Sequence, residues 1–172
     1  MPQFSVRQAA IMTKDQIRNI RNAMGNFATG ITVMTTVDAE GNARGMTANS
    51  FSSVSLEPAL VSWCVGNESR LFGLFQEQDY FAVNVLHSGQ ADLSQLFAGT
   101  DDDKFAHLRW HAGLHGLPLL DDCPCHFQCR IEHRYPGGDH VILVGRVLEF
   151  SNTPMEPLIF HGGQYRQLQG IG

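Results

Sequence analysis

Short β-rich segments separated by turn residues recur along this chain, and they limit it to a small set of folds. The predicted strands are residues 31–37, 59–65, 80–86, 124–134 and 140–150. Four of them are rich in β-branched and aromatic residues, and residues 124–134 instead show alternation, with Phe127, Cys129 and Ile131 on one face. Turn segments such as 38–42 and 135–139 separate the strands. Many short strands with few helices predict a mainly β fold, an antiparallel, Greek-key-like barrel or sandwich with peripheral helices.

Three helices are predicted at the periphery of this sheet. A capping-box pattern at Thr13 precedes apolar residues at helical spacing, so the first helix should span about 14–25. Residues 69–77 and 90–97 predict two shorter helices. Residues 98–119 carry Gly, Asp and His without periodicity, and we expect a surface lid or active-site loop there.

Length and composition indicate one globular domain. With 172 residues, 43% of them hydrophobic and 17% charged, the chain can bury a substantial core. We expect residues 1–12 to be an N-terminal arm and residues 13–172 to form the domain. The net charge of −5, with thinly scattered basic residues, argues against a nucleic-acid partner.

Apolar segments and cysteines lead to an expectation about location. We find no early apolar run long enough to span a bilayer and no basic-then-apolar signal pattern at the start. We therefore expect no membrane association and a cytoplasmic location. The four cysteines are then expected to be reduced thiols and not a disulfide framework.

The segment Gly45–Ser55 is dense in polar groups but carries no charge. Six of its eleven side chains bear a hydroxyl or an amide, and predicted buried strands flank it. Neutral hydrogen-bonding groups within a β-rich core suit a polar, partly aromatic ligand with phosphate and carbonyl oxygens. A Ser/Thr-rich edge strand and loop is the alternative. The Gly-rich phosphate loops of βαβ and P-loop sites are missing from the sequence, so a nucleotide would be bound without them.

Clustered Cys and His residues in the segment Cys123–His133 raise a second alternative, a zinc site. A strand separates the side chains of one face by about 7 Å, so four tetrahedral ligands rarely come from one strand. His107, His111 and His115 are spaced four apart, but nearby Gly and Pro argue against a helix and favour a polar lid. Asp101–Asp103 is most simply a solvated turn. We therefore expect no bound metal.

The order of several motifs resembles the flavin reductase domain family, small NAD(P)H:flavin oxidoreductases that often serve as the reductase half of two-component monooxygenases. The matching segments are Phe27–Val33, Gly45–Ser55 with Pro58 after it, Phe81–Leu86, Lys104-Phe105, and Gly138-Asp139-His140. Together they cover roughly residues 20–168. The resemblance implies an FMN-binding split β-barrel and a homodimer with a flavin near the subunit interface.

The resemblance also implies which residues contact the flavin. The pyrimidine edge of the ring would be bound by Thr47, Ala48, Asn49 and Ser50. The remaining wall would be formed by Cys64, Val65, Ala82 and Asn84. The phosphate candidates are Ser53, Ser69, Arg70 and Lys104, with Phe105 next in sequence. Asn84 is unusual in an apolar strand, which favours a functional role, whereas Cys64 is equally well a core residue and Arg70 a solvated helix charge.

Candidates for the pyridine nucleotide lie near the end of the chain. His140 follows two glycines and Asp139 at the tip of a predicted hairpin, and the Gly-Asp-His motif of the family contributes to NAD(P)H binding. Tyr165 and Arg166 are further candidates, for stacking and for the nucleotide phosphates. Direct hydride transfer from nicotinamide C4 to flavin N5 needs no protein nucleophile, so we expect no catalytic side chain in the strict sense.

Two functions would use the same predicted pocket. One is an enzyme that reduces FMN or FAD with NADH or NADPH and releases the reduced flavin to a separate oxygenase. The other is a flavoprotein that keeps its flavin tightly bound and passes electrons to a partner. The sequence does not choose between FMN and FAD, or between NADH and NADPH.

Overall fold

A computed structural model describes residues 12–101 and 103–168 of the chain. The predicted N-terminal arm lies outside this range except for Met12. The α-helices of the described residues are α1 (Lys14–Met24), α2 (Phe72–Glu77) and α3 (Ala91–Ala98). The strands are β1 (Thr29–Gly30), β2 (Thr32–Val37), β3 (Ala43–Ala48), β4 (Ser52–Leu56), β5 (Ala59–Gly66), β6 (Tyr80–Val85), β7 (Trp110–Ala112), β8 (Pro118–Leu120), β9 (Cys125–Gly137), β10 (His140–Asn152), β11 (Ile159–His161) and β12 (Gln164–Arg166).

Seven strands form one antiparallel sheet in the order β3-β2-β6-β9-β10-β5-β4. Its two edge strands, β3 and β4, are joined in sequence by only Asn49, Ser50 and Phe51. A linker of three residues reaches only about 10–15 Å, so the sheet has to curl until its edges approach each other. The result is a barrel with a gap between β3 and β4. The predicted mainly β, split-barrel fold is confirmed.

Alternation along β5 shows how the sequence fills this barrel. Val61, Trp63 and Val65 point inward and are buried, whereas the residues between them are half-buried on the outer face. The Trp63 ring meets Phe75 of α2 edge-on, with 4.8 Å between ring centroids. Each such fully buried large side chain contributes about 1.5–3 kcal/mol relative to an exposed one. Arg134 fixes α2 over the barrel by donating to the carbonyl of Phe75 at 3.2 Å.

The segment predicted to be irregular, residues 98–119, contains short strands β7 and β8 that pair with each other. The turn between them is tied to the barrel because Gln128 Oε1 accepts the N–H of Leu114 at 2.6 Å. A Cβ at Gly113 would lie 2.2 Å from the same oxygen, so a larger residue there would displace the Gln128 amide from this bond. The prediction that this segment is irregular was therefore wrong for its second half, where β7 and β8 pair. The contact that fixes their turn comes from Gln128 on another strand, which the local sequence does not show.

Helix α1 lies outside the barrel. The capping box predicted at Thr13 is present, yet none of the helix residues is buried. Ile20 and Met24, on its apolar face, keep 40% and 67% of their surface exposed. Among the described residues, none of the helices has the length and apolar character needed to cross a bilayer.

Candidate functional site

A groove of about 670 Å³ runs along edge strand β3. Its walls are residues 43–47 of β3, residues 69–71 after β5, the end of α3 with the turn to residue 101, and residues 104 and 105. This volume lies within the range of small-molecule and cofactor sites, about 300–1,000 Å³. Because β3 is an edge strand, its unpaired backbone N–H and C=O groups also face away from the sheet, where a ligand can bind them.

Close contacts hold α3 against β3. A Cβ at Gly45 would lie 2.8 Å from the ring of Phe97, so glycine at this position lets the helix approach the strand. Thr47 donates its hydroxyl to the carbonyl of Ser94, also in α3, at 2.6 Å. The groove wall built by β3 and α3 is therefore fixed by packing and by a partly buried hydrogen bond, as a preorganised site requires.

Basic side chains reach the groove from three segments. Lys104 donates to the carbonyl of Phe97 at 3.0 Å, close to the C-terminus of α3, where the helix dipole favours a cation. Arg70 donates to the carbonyl of Thr100 at 2.5 Å. Arg44 forms an ion pair with Asp38 at 2.9 Å. These contacts hold ammonium and guanidinium groups at the rim, where they can donate to a phosphate.

The floor of the groove combines apolar side chains with one hydroxyl. Met46 and Leu71 both line it, and Phe105 packs edge-on against Phe97. Ser69 Oγ lies 3.7 Å from Met46 Sδ and accepts the N–H of Leu71 at 3.3 Å. A planar ring with polar edges would find an apolar surface and hydrogen-bonding groups together here.

One turn connects the groove to His140. Ser69 donates its N–H to the carbonyl of Gly66 at 2.9 Å, and Gly66 lies directly opposite His140 in the β5–β10 ladder. His140 Nδ1 lies 2.8 Å from Asp139 Oδ1. This hydrogen bond, with the charge of the imidazole, lowers the pKa of Asp139. The carboxylate therefore orients the ring and leaves Nε2 on the side of Gly66.

The link between β3 and β4, residues 49–51 of the polar segment, lies beside the end of β5 that carries Gly66. Ser50 Oγ accepts the N–H of Cys64 at 2.9 Å, and Cys64 precedes Gly66 by two residues, about 7 Å along a strand. Asn49 and Ser53 are exposed on either side of Ser50. Asn49 and Ser50 therefore lie near the Gly66 turn without lining the groove itself, whereas Ser53 pairs with Val61, five residues before Gly66.

Four predicted contacts lie in the core instead. Ala48, Val65 and Ala82 are buried between strands. Asn84 is fully buried: its amide nitrogen donates to the carbonyl of Val33 and to the Thr35 hydroxyl, and its oxygen accepts from Leu120 N–H. The sequence favoured a functional role for Asn84, but these bonds explain it structurally, since they join β6 to β2 and β8.

Tyr165 and Arg166 lie on the β11–β12 hairpin. Tyr165 donates its hydroxyl to Ser94 Oγ at 2.9 Å, so it supports the helix that contacts Thr47 without lining the groove. Arg166 is exposed. Of the predicted site residues, the groove brings together Thr47, Ser69, Arg70, Lys104 and Phe105. Arg44, Met46, Leu71 and Thr100 also line the groove and were not predicted as ligand contacts. Met46 lies within the polar segment Gly45–Ser55 and Arg44 directly precedes it, which was the available signal.

The Cys and His residues of the suspected zinc segment are dispersed. Within the described ranges 12–101 and 103–168, no group of three His, Cys, Asp or Glu side chains is placed to hold a metal ion. Burial raises the pKa of Cys123 and of Cys129 to about 12, so both are protonated thiols. His126 bonds to the carbonyl of Leu120 and to the Ser151 hydroxyl.

Residues 24–169 match the protein family described as Flavin reductase like domain. The chain belongs to this family. The groove, the Gly66 turn and His140 all lie within the matched residues 24–169. The site just described is therefore part of the flavin reductase like domain.

Relatives of this domain carry informative names. The reductase component of the flavin-dependent trigonelline monooxygenase of Acinetobacter baylyi is 39% identical and matches over 88% of this chain and 49% of its own. The FMN reductase (NADH) SmoA of Agrobacterium fabrum is 40% identical, over 86% of this chain and 84% of its own. The structure of the Streptomyces globisporus NADH:FAD oxidoreductase SgcE6 in complex with NAD and FAD fragments has a TM-score of 0.86 and 37% identity, covering 94% of this chain and 98% of its own. The chain spans about half the length of two curated relatives, 48% and 49%.

Proposed function

We propose that this domain is an NAD(P)H:flavin oxidoreductase that reduces FMN or FAD. The observation that carries the proposal is the groove on β3, which joins basic, hydroxyl and apolar side chains and continues through one turn to His140. The names of the relatives support the reaction, since SmoA is an FMN reductase that uses NADH and SgcE6 is an NADH:FAD oxidoreductase. The proposed cofactors are therefore FMN or FAD with NADH or NADPH.

The donor set of the groove fits a flavin. Arg70, Lys104 and Ser69 all line the groove and supply charged and neutral donors for a phosphate. The outward backbone groups of β3 near Thr47 suit the pyrimidine edge of the ring, which offers both donors and acceptors. Met46 provides an apolar surface for the ring face.

The residues of the chain act by positioning. A bound flavin would supply N5 as the acceptor for the hydride of nicotinamide C4. His140, oriented by Asp139, binds the nicotinamide side of the pyridine nucleotide next to the Gly66 turn. Holding two reactants in a reactive arrangement accelerates a reaction by removing the entropic cost of their encounter, which accounts for catalysis without a nucleophile.

Two partners follow from this proposal. The reduced flavin would pass to an oxygenase component, because a relative is itself the reductase component of a monooxygenase. A second copy of the chain would form a homodimer by covering the apolar face of α1, where Ile17, Ile20 and Met24 are exposed.

All four cysteines are free thiols, which suits the reducing cytoplasm that we propose as the location.

Steady-state oxidation of NADH and NADPH, with FMN, FAD and riboflavin tested in parallel, examines the proposed reaction. We expect turnover that requires added flavin and saturates with both substrates. Gel filtration of the purified protein gives the second measurement. If the flavin separates from the protein, it behaves as a diffusible substrate and not as a prosthetic group. A yellow protein that retains its flavin and oxidises no pyridine nucleotide would favour the electron-transfer module instead.

A further inference from the structure

The outer face of the β9–β10 hairpin carries an aromatic pair close to His140. Directly opposite residues of an antiparallel ladder share a face, and here Tyr135 is opposite Ile142 and His133 is opposite Val144. Because side chains alternate along a strand, His140 lies on the same face as Ile142. We call the surface formed by His133, Tyr135, His140 and Ile142 the hairpin face.

The Tyr135 ring is exposed and held in place. Half of the residue's surface, 50%, is accessible, and its ring stacks on His133 with 5.4 Å between centroids and 26° between planes. A ring that is already fixed loses little conformational freedom when it binds a ligand. Diagonal neighbours across an antiparallel pair are about 7–8 Å apart, so Tyr135 and His140 can contact one bound molecule.

Two glycines flank His140 in the sheet. Gly137 on β9 and Gly66 on β5 lie directly opposite it, one on each side. The imidazole lies over Gly66, where a Cβ would be 3.5 Å from Nε2, and the side chain of Ile142 lies over Gly137, where a Cβ would be 3.4 Å from Cγ1. The half-buried Ile142 therefore forms an apolar floor between the imidazole and the Tyr135 ring.

The order of the strands separates two parts of this face. The groove is reached from the end of β5, through the Gly66 turn, whereas Tyr135 lies on β9, two strands away and about 10 Å across the sheet. A nicotinamide has to lie at the groove side to reach a flavin ring. The other half of a pyridine dinucleotide, which ends in a planar adenine, would then extend over β10 towards β9.

We propose that Tyr135, supported by His133, is a positioning residue that stacks on the adenine of the pyridine nucleotide while His140 binds the nicotinamide end. This proposal rests on the proposed function for the identity of the nucleotide. Stacking of a base on an aromatic side chain is strong enough to change affinity by about tenfold or more. Tyr135 would thereby set the affinity for NADH without touching the reacting atoms.

Binding of ADP-ribose and of nicotinamide mononucleotide, measured by calorimetry without flavin, tests the stacking directly. We expect Tyr135→Ala to raise the Kd of ADP-ribose about tenfold and to leave nicotinamide mononucleotide unchanged. Tyr135→Phe should bind as the wild type does, because the ring is retained. His133→Ala should show a smaller loss in the same direction. Phe150→Ala, which removes another exposed aromatic side chain from β10, is the matched control and should have no effect.

Kinetics with saturating flavin give the second readout. Tyr135→Ala should raise KM for NADH and leave kcat and the flavin KM unchanged. The stacking is overturned if the wild type does not bind ADP-ribose, or if Tyr135→Ala binds it with the same affinity as the wild type. It is also overturned if Tyr135→Ala loses affinity only for nicotinamide mononucleotide. Tyr135-dependent binding of ADP-ribose by a protein that reduces no flavin would instead refute the proposed function and leave the stacking intact.

Discussion

At the scale of single residues, several glycines are required by their neighbours and not by a turn. Gly145 lies on β10 opposite Val61, and a Cβ there would be 2.5 Å from the ring of Phe81 and 3.0 Å from the Cβ of Cys129. Both neighbours are fully buried, so neither can move without disturbing the core. The same argument applies to Gly45 under Phe97, which makes glycine a packing residue in this barrel.

We therefore expect Gly145→Ala to lower the free energy of unfolding by about 1–3 kcal/mol, the usual cost of overpacking a core. Urea denaturation monitored by tryptophan fluorescence gives the measurement, since Trp63 is in the same core cluster. Gly30→Ala is the control, because a Cβ at Gly30 meets nothing within 4 Å. Equal stability of the two variants would contradict the packing argument.

Lys104 tests the phosphate assignment at the same scale. Lys104→Ala should lower the affinity for FMN by about tenfold or more, the usual effect of losing a charge-assisted hydrogen bond. The affinity for riboflavin, which lacks the phosphate, should be nearly unchanged. Fluorescence titration with both flavins measures the two affinities. Since Lys104 also contacts the end of α3, the thermal midpoint has to be compared as well. Equal losses for FMN and riboflavin would remove the assignment.

At the scale of elements, the sequence was most informative where contacts are local. The β-rich segments, the capping box of α1 and the turn at Gly138-Asp139 were all predicted close to their observed bounds. The β7–β8 pair was missed, because its turn is fixed by Gln128 from another strand. The groove was predicted only in part for the same reason: Arg44 and Leu71 come together through the curl of the sheet.

His126 connects elements in a way that makes stability depend on pH. Burial lowers the pKa of His126 below its ordinary 6.5, and the nearby His111 lowers it further, while the bond to Leu120 opposes both. The unfolded chain therefore binds this proton more readily than the folded chain as the pH falls through 6.5. The contribution of His126 to the free energy of unfolding is therefore greatest above that pH and decreases below it, until the lowered pKa of the folded state is also passed.

We expect the free energy of unfolding of His126→Gln to fall less between pH 7.5 and pH 5 than that of the wild type. This holds even if the variant is less stable at pH 7.5. Urea denaturation at a series of pH values measures the slope. His107→Gln, at an exposed histidine, is the control and should keep the wild-type slope. A His126 variant with an unchanged pH slope would show that another group causes the acid sensitivity.

At the scale of the whole molecule, the barrel buries its core but leaves an amphipathic helix uncovered. Ile17, Ile20 and Met24 recur at helical spacing on α1, and 44%, 40% and 67% of their surfaces are exposed. The helix contacts the rest of the chain near Gly25, whose carbonyl accepts the N–H of Gly162. Covering this face with a second copy would remove the apolar surface from water, which is the driving force we propose for a homodimer.

Ile20→Glu tests this assembly, because it places a charge in the centre of the exposed apolar face. We expect the wild type to sediment as a dimer and Ile20→Glu to sediment as a monomer with an unchanged circular dichroism spectrum. Asn22→Glu introduces the same charge two residues away, on the opposite side of α1, and should remain dimeric. A monomeric wild type, or an Ile20→Glu protein that stays dimeric, would mean that this face serves another purpose. Desolvating a carboxylate in an apolar interface costs roughly several kcal/mol, so one substitution is enough to separate the copies.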